Sequence, residues 1–244
     1  MVDSLSRRLA LGGAAFTVAT SAAALPARAQ AAQIETIAVI GTGNVGSTLG
    51  KAWAAVGHKI VYGSRAPDSD KVKALVVESG PNASAALPKD SVQNAGLVLL
   101  AIPSASAVEI VTGLGDLKGK VLIDATNLLS IVDGKIVEPA ECLADQIRAA
   151  APNANLIKAF NTTNTKVMVD PAMTGGTVTL PLAGASMQSK KRVAQLAAAL
   201  GLETVDIGGN DMLRMAEHLG RLYVGYGVKN RPQRLEFQFR TWGA

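Results

Sequence analysis

Three glycines, Gly41, Gly43 and Gly46, stand in the spacing Gly-x-Gly-x-x-Gly, directly after the apolar run Ile37-Ala-Val-Ile40 and before a helix-compatible stretch over 47–56. Each position has a mechanical reason. Glycine at 41 permits a tight strand-to-helix turn, glycine at 43 lets the backbone approach a pyrophosphate closely, and glycine at 46 lets the helix pack on the strand. The free amides and positive dipole end of the helix then face the phosphate. The chemistry that this spacing serves is dinucleotide binding.

The next apolar run, His58-Lys-Ile-Val-Tyr62, ends in Gly63-Ser64-Arg65. An NAD site places an acid near this strand end to bond the ribose hydroxyls. No acid stands here. A hydroxyl and a two-pronged guanidinium suit a 2′-phosphate instead, so Ser64 and Arg65 favour NADP over NAD.

Further apolar runs end in Ile102-Pro103-Ser104, Asp124-Ala-Thr-Asn127 and Phe160-Asn161-Thr-Thr163. These are amides, hydroxyls and small residues, suited to ribose, phosphate and carboxamide. They are not an acid–base set, and no Tyr-x-x-x-Lys pair or Ser/His/Asp arrangement accompanies them. Asn127 and Asn161 read equally as groups that orient a nicotinamide and as ordinary polar strand ends. Asp124 reads as a strand-end or cap acid rather than a base.

Seven strands, 37–40, 58–62, 97–102, 121–124, 155–160, 178–182 and 203–207, alternate with helical spacing at 71–78, 105–114, 140–150 and 188–200. That alternation predicts an α/β fold with a doubly wound, mostly parallel sheet, whose ligand lies across the carboxyl ends of the strands. Pro181 cannot donate to a ladder, which predicts an edge or bulged strand there. An amphipathic helix over 211–228, through Met212, Met215, Leu219 and Leu222, forms a short C-terminal helical cover or a homodimer contact. The alternating tail 235–239 reads as a short added strand.

At the amino end, Arg7-Arg8 precedes an uncharged run over 10–25 and two small-x-small cleavage sites, Ala27–Ala29 and Ala29–Ala31. This is the layout of a twin-arginine signal over 1–31, followed by a nucleotide-binding domain over 32–229 and a tail over 230–244. The run is shorter than the ~20 strongly apolar residues of a membrane span. An exported, periplasmic location with no stable span after cleavage follows as an expectation. Loss of Arg7, Arg8 and Arg28 together with Asp3 lowers the formal charge from +5 to +3. Basic residues are scattered, which argues against a nucleic-acid partner. Cys142 is a lone cysteine and reads as a buried helix-face thiol. His58 and His218 lack ligand spacing, so no metal site is expected.

The runs Ile40-Gly-Thr-Gly-Asn-Val-Gly46, Tyr62-Gly-Ser-Arg65, Leu100-Ala-Ile-Pro103, Asp124-Ala-Thr-Asn127 and Lys158-Ala-Phe-Asn-Thr162 resemble the F420-dependent NADP reductase family. The last is shared with the oxidoreductase domain of the STEAP metalloreductases. The resemblance covers about 34–228. It implies a Rossmann domain that passes hydride between NADP and a stacked deazaflavin or flavin, with no side chain acting as acid or base. By this resemblance Thr42, Gly43, Asn44 and Val45 hold the pyrophosphate, and Ser64 and Arg65 the 2′-phosphate. Ile102 and Pro103 line the channel, and Asn127, Phe160 and Asn161 lie near the nicotinamide. Coenzyme F420, flavin or another small redox molecule is the implied partner. A non-catalytic, exported NADP-binding protein is the alternative.

Overall fold

Strands that are apolar along their whole length, such as Leu97-Val-Leu-Leu100, need cover on both faces, and a parallel sheet flanked by helices supplies it. The computed structural model describes residues 33–132, 135–137 and 139–242. The signal expected over 1–31 lies outside them. In chain order the elements are β1 (Thr36–Ile40), α1 (Asn44–Ala55), β2 (Lys59–Gly63), α2 (Asp70–Ser79), β3 (Ala83–Ala86), α3 (Pro88–Ser91), β4 (Leu97–Leu100), α4 (Ala107–Gly113) and β5 (Val121–Asp124). The second half has β6 (Ser130–Val132), β7 (Lys135–Val137), α5 (Leu143–Ala150), β8 (Asn155–Lys158), α6 (Thr165–Val169), β9 (Thr179–Ala183), α7 (Met187–Ala198), β10 (Glu203–Gly208) and α8 (Leu213–Lys229).

The main sheet runs β3-β2-β1-β4-β5-β8-β9-β10. The first six strands are parallel. β9 turns antiparallel to β8, and β10 runs parallel to β9. β6 and β7 form a separate antiparallel pair. Side chains alternate between two cores. Ile37, Val39, Leu99, Ile123 and Ile157 meet Trp53 of α1 and Val193 and Leu196 of α7. Ala38, Ile40, Leu100, Leu122 and Leu156 meet Val111 of α4, Ile147 of α5 and Leu213 and Ala216 of α8. The doubly wound, mostly parallel fold expected from the sequence is the one observed, with α8 as the C-terminal cover. β3, made of Ala-Ser-Ala-Ala, carries no β-branched signal and was not expected.

The expectation for Pro181 needs correction. β10, not β9, is the edge strand, and the register shift falls in β10 between Asp206 and Gly208. Pro181 is tolerated because β9 meets β8 only through Lys158 opposite Ala183. Thr179–Leu182 therefore project past the end of β8, and the missing N–H breaks no ladder. The tail takes that free side: the Thr179 amide donates to the Phe237 carbonyl at 2.8 Å. The tail thus adds one strand-like bond rather than a full strand.

Candidate active site

The turn after β1 is shaped by its glycines. Gly41 has φ +106°, and a Cβ there would lie 2.3 Å from the Ala101 carbonyl oxygen. A Cβ on Gly46 would lie 2.0 Å from the Gly41 oxygen. Gly43 faces open space and is the N-cap of α1, with no side chain bonded to the cap and no acid in the first turn. The first-turn amides, which have no intrahelical acceptor, therefore point outward with the positive end of the dipole. This geometry can hold a diphosphate.

Two open clefts meet at Ile102 and Pro103. One, of about 440 Å³, is lined by Gly41, Thr42, Gly43, Ser64, Arg65 and Pro88, with Glu109 of α4 also on its border. Ser64 is held at the end of β2 by its amide, which donates to the Ala86 carbonyl, and its Oγ accepts from the Ala66 amide at 3.2 Å. Arg65 beside it is exposed. The other, of about 420 Å³, is lined by Asn44, Val45, Ser104 and Ala125 to Asn127. Twelve residues singled out in the sequence border these clefts or, in the case of Gly46, pack directly beneath the turn. Every side chain on the second cleft is uncharged.

Phe160 and Asn161 border neither cleft. Phe160 holds φ +65°, an uncommon conformation for a large side chain, is 1% exposed, and meets Trp53 edge-on at 5.7 Å. Phe160 therefore enters the core and acts from below, not as a contact surface. Its turn aims Asn161 sideways. Asn161 Nδ2 donates to Asn127 Oδ1 at 3.0 Å and to the Ala216 carbonyl at 2.9 Å, while Asn127 Nδ2 donates to the Asn161 carbonyl at 2.7 Å. Gly220 of α8 makes room for this pair, because a Cβ there would lie 2.0 Å from Asn127 Oδ1.

Beneath the amide pair lies a charged layer that the sequence did not reveal. Asp124 and Lys158 are register partners on adjacent strands, both 0% exposed, with Lys158 Nζ 2.8 Å from Asp124 Oδ2. Lys158 also donates to the Thr126 carbonyl at 2.5 Å. Asp124 Oδ1 accepts from the Thr126 amide at 2.9 Å and its hydroxyl at 2.6 Å. Glu217 of α8, also fully buried, accepts from the Ala144 amide, Cys142 Sγ and Arg221 Nη2. Burial pushes the Glu217 carboxyl up, but the charge of Lys158 and the amides at the start of α5 outweigh it and hold it below its ordinary value. Arg221 Nε donates to the Leu128 carbonyl at 3.1 Å, tying α8 to the segment after Asn127. Cys142 is buried as expected, at the N-cap of α5, and burial raises its thiol to about 11. A lysine in an otherwise apolar central strand, next to a strand ending in Asp, was the available signal for this layer.

One turn of α8 beyond Gly220, Tyr223 reaches the tail. Tyr223 OH donates to Glu236 Oε1 at 3.1 Å, and Asn164 Nδ2 donates to the same oxygen at 3.3 Å. Asn164 also caps α6 through the amides of Lys166 and Val167. No group of three or more His, Cys, Asp or Glu among the described residues could hold a metal, and no described helix is long and apolar enough to cross a membrane.

The glycine turn and the doubly wound sheet define a dinucleotide-binding α/β domain of the Rossmann type. Residues 36–128 match the family described as NADP oxidoreductase, coenzyme F420-dependent. A crystal structure from Arthrobacter sp. FB24, provisionally named an F420-dependent NADP-reductase, is 32% identical with a TM-score of 0.71, over 79% of this chain and 94% of that one. A hypothetical protein from Sinorhizobium meliloti is 30% identical with a TM-score of 0.63, over 72% of this chain and 86% of that one. A reductive aminase from Aspergillus terreus, 18% identical with a TM-score of 0.58, shares the fold over 81% of this chain and 62% of its own. The chain belongs to the coenzyme F420-dependent NADP oxidoreductase family and is an NADP(H)-dependent oxidoreductase.

Proposed function

We propose that the chain moves hydride between NADP(H) and a planar redox partner, a deazaflavin such as coenzyme F420 or a flavin. The observation that carries this reading is the uncharged lining of the cleft at Asn44, Val45, Ser104 and Ala125 to Asn127. Ring-to-ring hydride transfer needs close, fixed approach and no acid or base from the protein, whereas reduction of a carbonyl needs a proton donor at the reacting atom. In this reading the first-turn amides of α1 and Thr42 hold the pyrophosphate, and Ser64 and Arg65 bond the 2′-phosphate. Ile102 and Pro103 separate the adenosine side from the nicotinamide side. Asn127, positioned by Asn161, faces the nicotinamide. NADPH, when bound, supplies the hydride; the protein supplies orientation.

The test is NADPH oxidation at 340 nm with coenzyme F420, FMN and a ferric chelate offered in turn. Rapid turnover with F420 or FMN supports the reading. Turnover confined to the ferric chelate redirects it to a metalloreductase. NADP that binds and is never turned over supports a non-catalytic, NADP-carrying protein instead. We further propose export through the twin-arginine signal over 1–31, with NADP carried across on the folded chain and exchanged slowly. Arg7→Lys/Arg8→Lys should retain the protein in the cytoplasmic fraction, and rapid loss of NADP on dialysis of the exported protein would count against slow exchange.

A further inference from the structure

This inference rests on the reading that the amide end of the cleft receives the nicotinamide. We propose that Lys158 is a positioning residue for that end: with Asp124 it clamps the Ala125–Asn127 turn, and so sets the Asn127–Asn161 pair, without touching the ring.

All three polar groups of Thr126 are committed to this ion pair. Its amide and hydroxyl go to Asp124 Oδ1, and its carbonyl accepts from Lys158 Nζ. Lys158 and Asp124 lie side by side on β8 and β5, so the clamp is as rigid as the sheet. Stability alone does not ask for it. Taking two charges fully out of water is costly, and a well-packed apolar pair of similar volume commonly does as well or better. What an apolar pair cannot do is bond Thr126 from three directions.

The turn so held presents Asn127 to the cleft. Asn127 is then locked by reciprocal amide bonds to Asn161, and Asn161 by the Ala216 carbonyl of α8. Asn161 Oδ1 is a buried acceptor that receives no hydrogen bond among the described residues. Its orientation is fixed nonetheless, because Nδ2 already faces two acceptors. The remaining capacity of the amide pair is thus aimed by the clamp, and a fraction of an ångström of slack there would be felt in hydride transfer. Glu217, drawn down by the charge of Lys158, closes the layer from α8.

The experiment uses two probes on the folded protein: NADP⁺, which fills both ends of the cleft, and adenosine 2′,5′-bisphosphate, which fills only the phosphate and adenosine end. Titration calorimetry is run on the wild type, Lys158→Met and Thr126→Val. Lys158→Met is expected to weaken NADP⁺ by about tenfold or more and to leave the bisphosphate within about twofold. Thr126→Val, which removes one hydroxyl at nearly constant volume, should show the same split at about threefold and decides the matter if Lys158→Met does not fold. Equal losses for both probes, or no loss for either, would overturn the positioning role. Failure of the wild type to bind either probe would instead sink the NADP assignment to this cleft, and the inference with it.

Discussion

The two ends of the cleft are made of different material. The phosphate end, from β1 through α1 to β2, is mostly backbone: glycines and first-turn amides, with the hydroxyls of Thr42 and Ser64 and one exposed arginine, all between Gly41 and Arg65. The nicotinamide end is side chain. It draws Asp124 from β5, Lys158 from β8 and Glu217 and Arg221 from α8, and buries them under two interlocked asparagines. A backbone site tolerates any neighbour that leaves the turn intact, because its donors belong to every residue. A side-chain site depends on partners being present together, and losing one leaves a buried charge or an unmet hydrogen bond.

That contrast can be broken most directly at Asp124. Asp124→Ala leaves Lys158 charged and buried without its acid, and should cost about 3–5 kcal/mol in urea unfolding. Asp124→Ala with Lys158→Met should recover most of that loss, since no buried charge remains. If the single and double variants unfold alike, the ion pair is not the organising element of this end. At the phosphate end the corresponding lesion is steric. Gly46→Ala places a Cβ 2.0 Å from the Gly41 oxygen, and the turn must open, at about 1–3 kcal/mol of stability with loss of NADP binding. Arg65→Ala touches no packing. It should leave the melting temperature unchanged and weaken NADP by about 1–3 kcal/mol, with NAD nearly unaffected; equal losses for the two nucleotides would remove the 2′-phosphate assignment.

The smallest expected effect concerns the tail. Burial raises the Glu236 carboxyl above its usual 4.5, against hydrogen bonds from Tyr223 and Asn164. A carboxyl whose folded pKa exceeds its unfolded one binds its proton better when docked. Its contribution is full below the unfolded value and is lost as pH rises through the folded value. Raising the pH from 4 toward neutrality should therefore loosen the tail, seen as faster amide exchange at Thr179, whose N–H holds the Phe237 carbonyl. Glu236→Gln should abolish that pH dependence, and the amides of Val45 and Gly46 at the other end should not respond in either protein.

The same contrast explains what could be read from the sequence. The glycine turn, the Gly63-Ser64-Arg65 strand end and the parallel sheet were legible because each is written as a short continuous pattern, even though Gly41 is itself packed against the distant Ala101. The Asp124–Lys158 pair was not, because its members lie 34 residues apart and meet only through strand register. Gly220 looked like any glycine on an amphipathic helix until the asparagines beneath it were placed. Phe160 was read as a site residue for its position after a strand, but its positive φ turns the ring into the core and hands the site to Asn161.

The separation of these partners along the chain also has a temporal side. Arg221 bonds a carbonyl 93 residues upstream, and Glu217 bonds amides 73 and 74 residues upstream. Contacts so distant in sequence close late, and a chain made from its amino end cannot form them until α8 has been synthesised. The groups assigned to the phosphates, complete by Arg65, have no such wait. During synthesis the protein should be able to grip the adenosine end of its nucleotide before it possesses a place for the nicotinamide, and ribosome-stalled chains ending before Leu213 should retain adenosine 2′,5′-bisphosphate if that order holds.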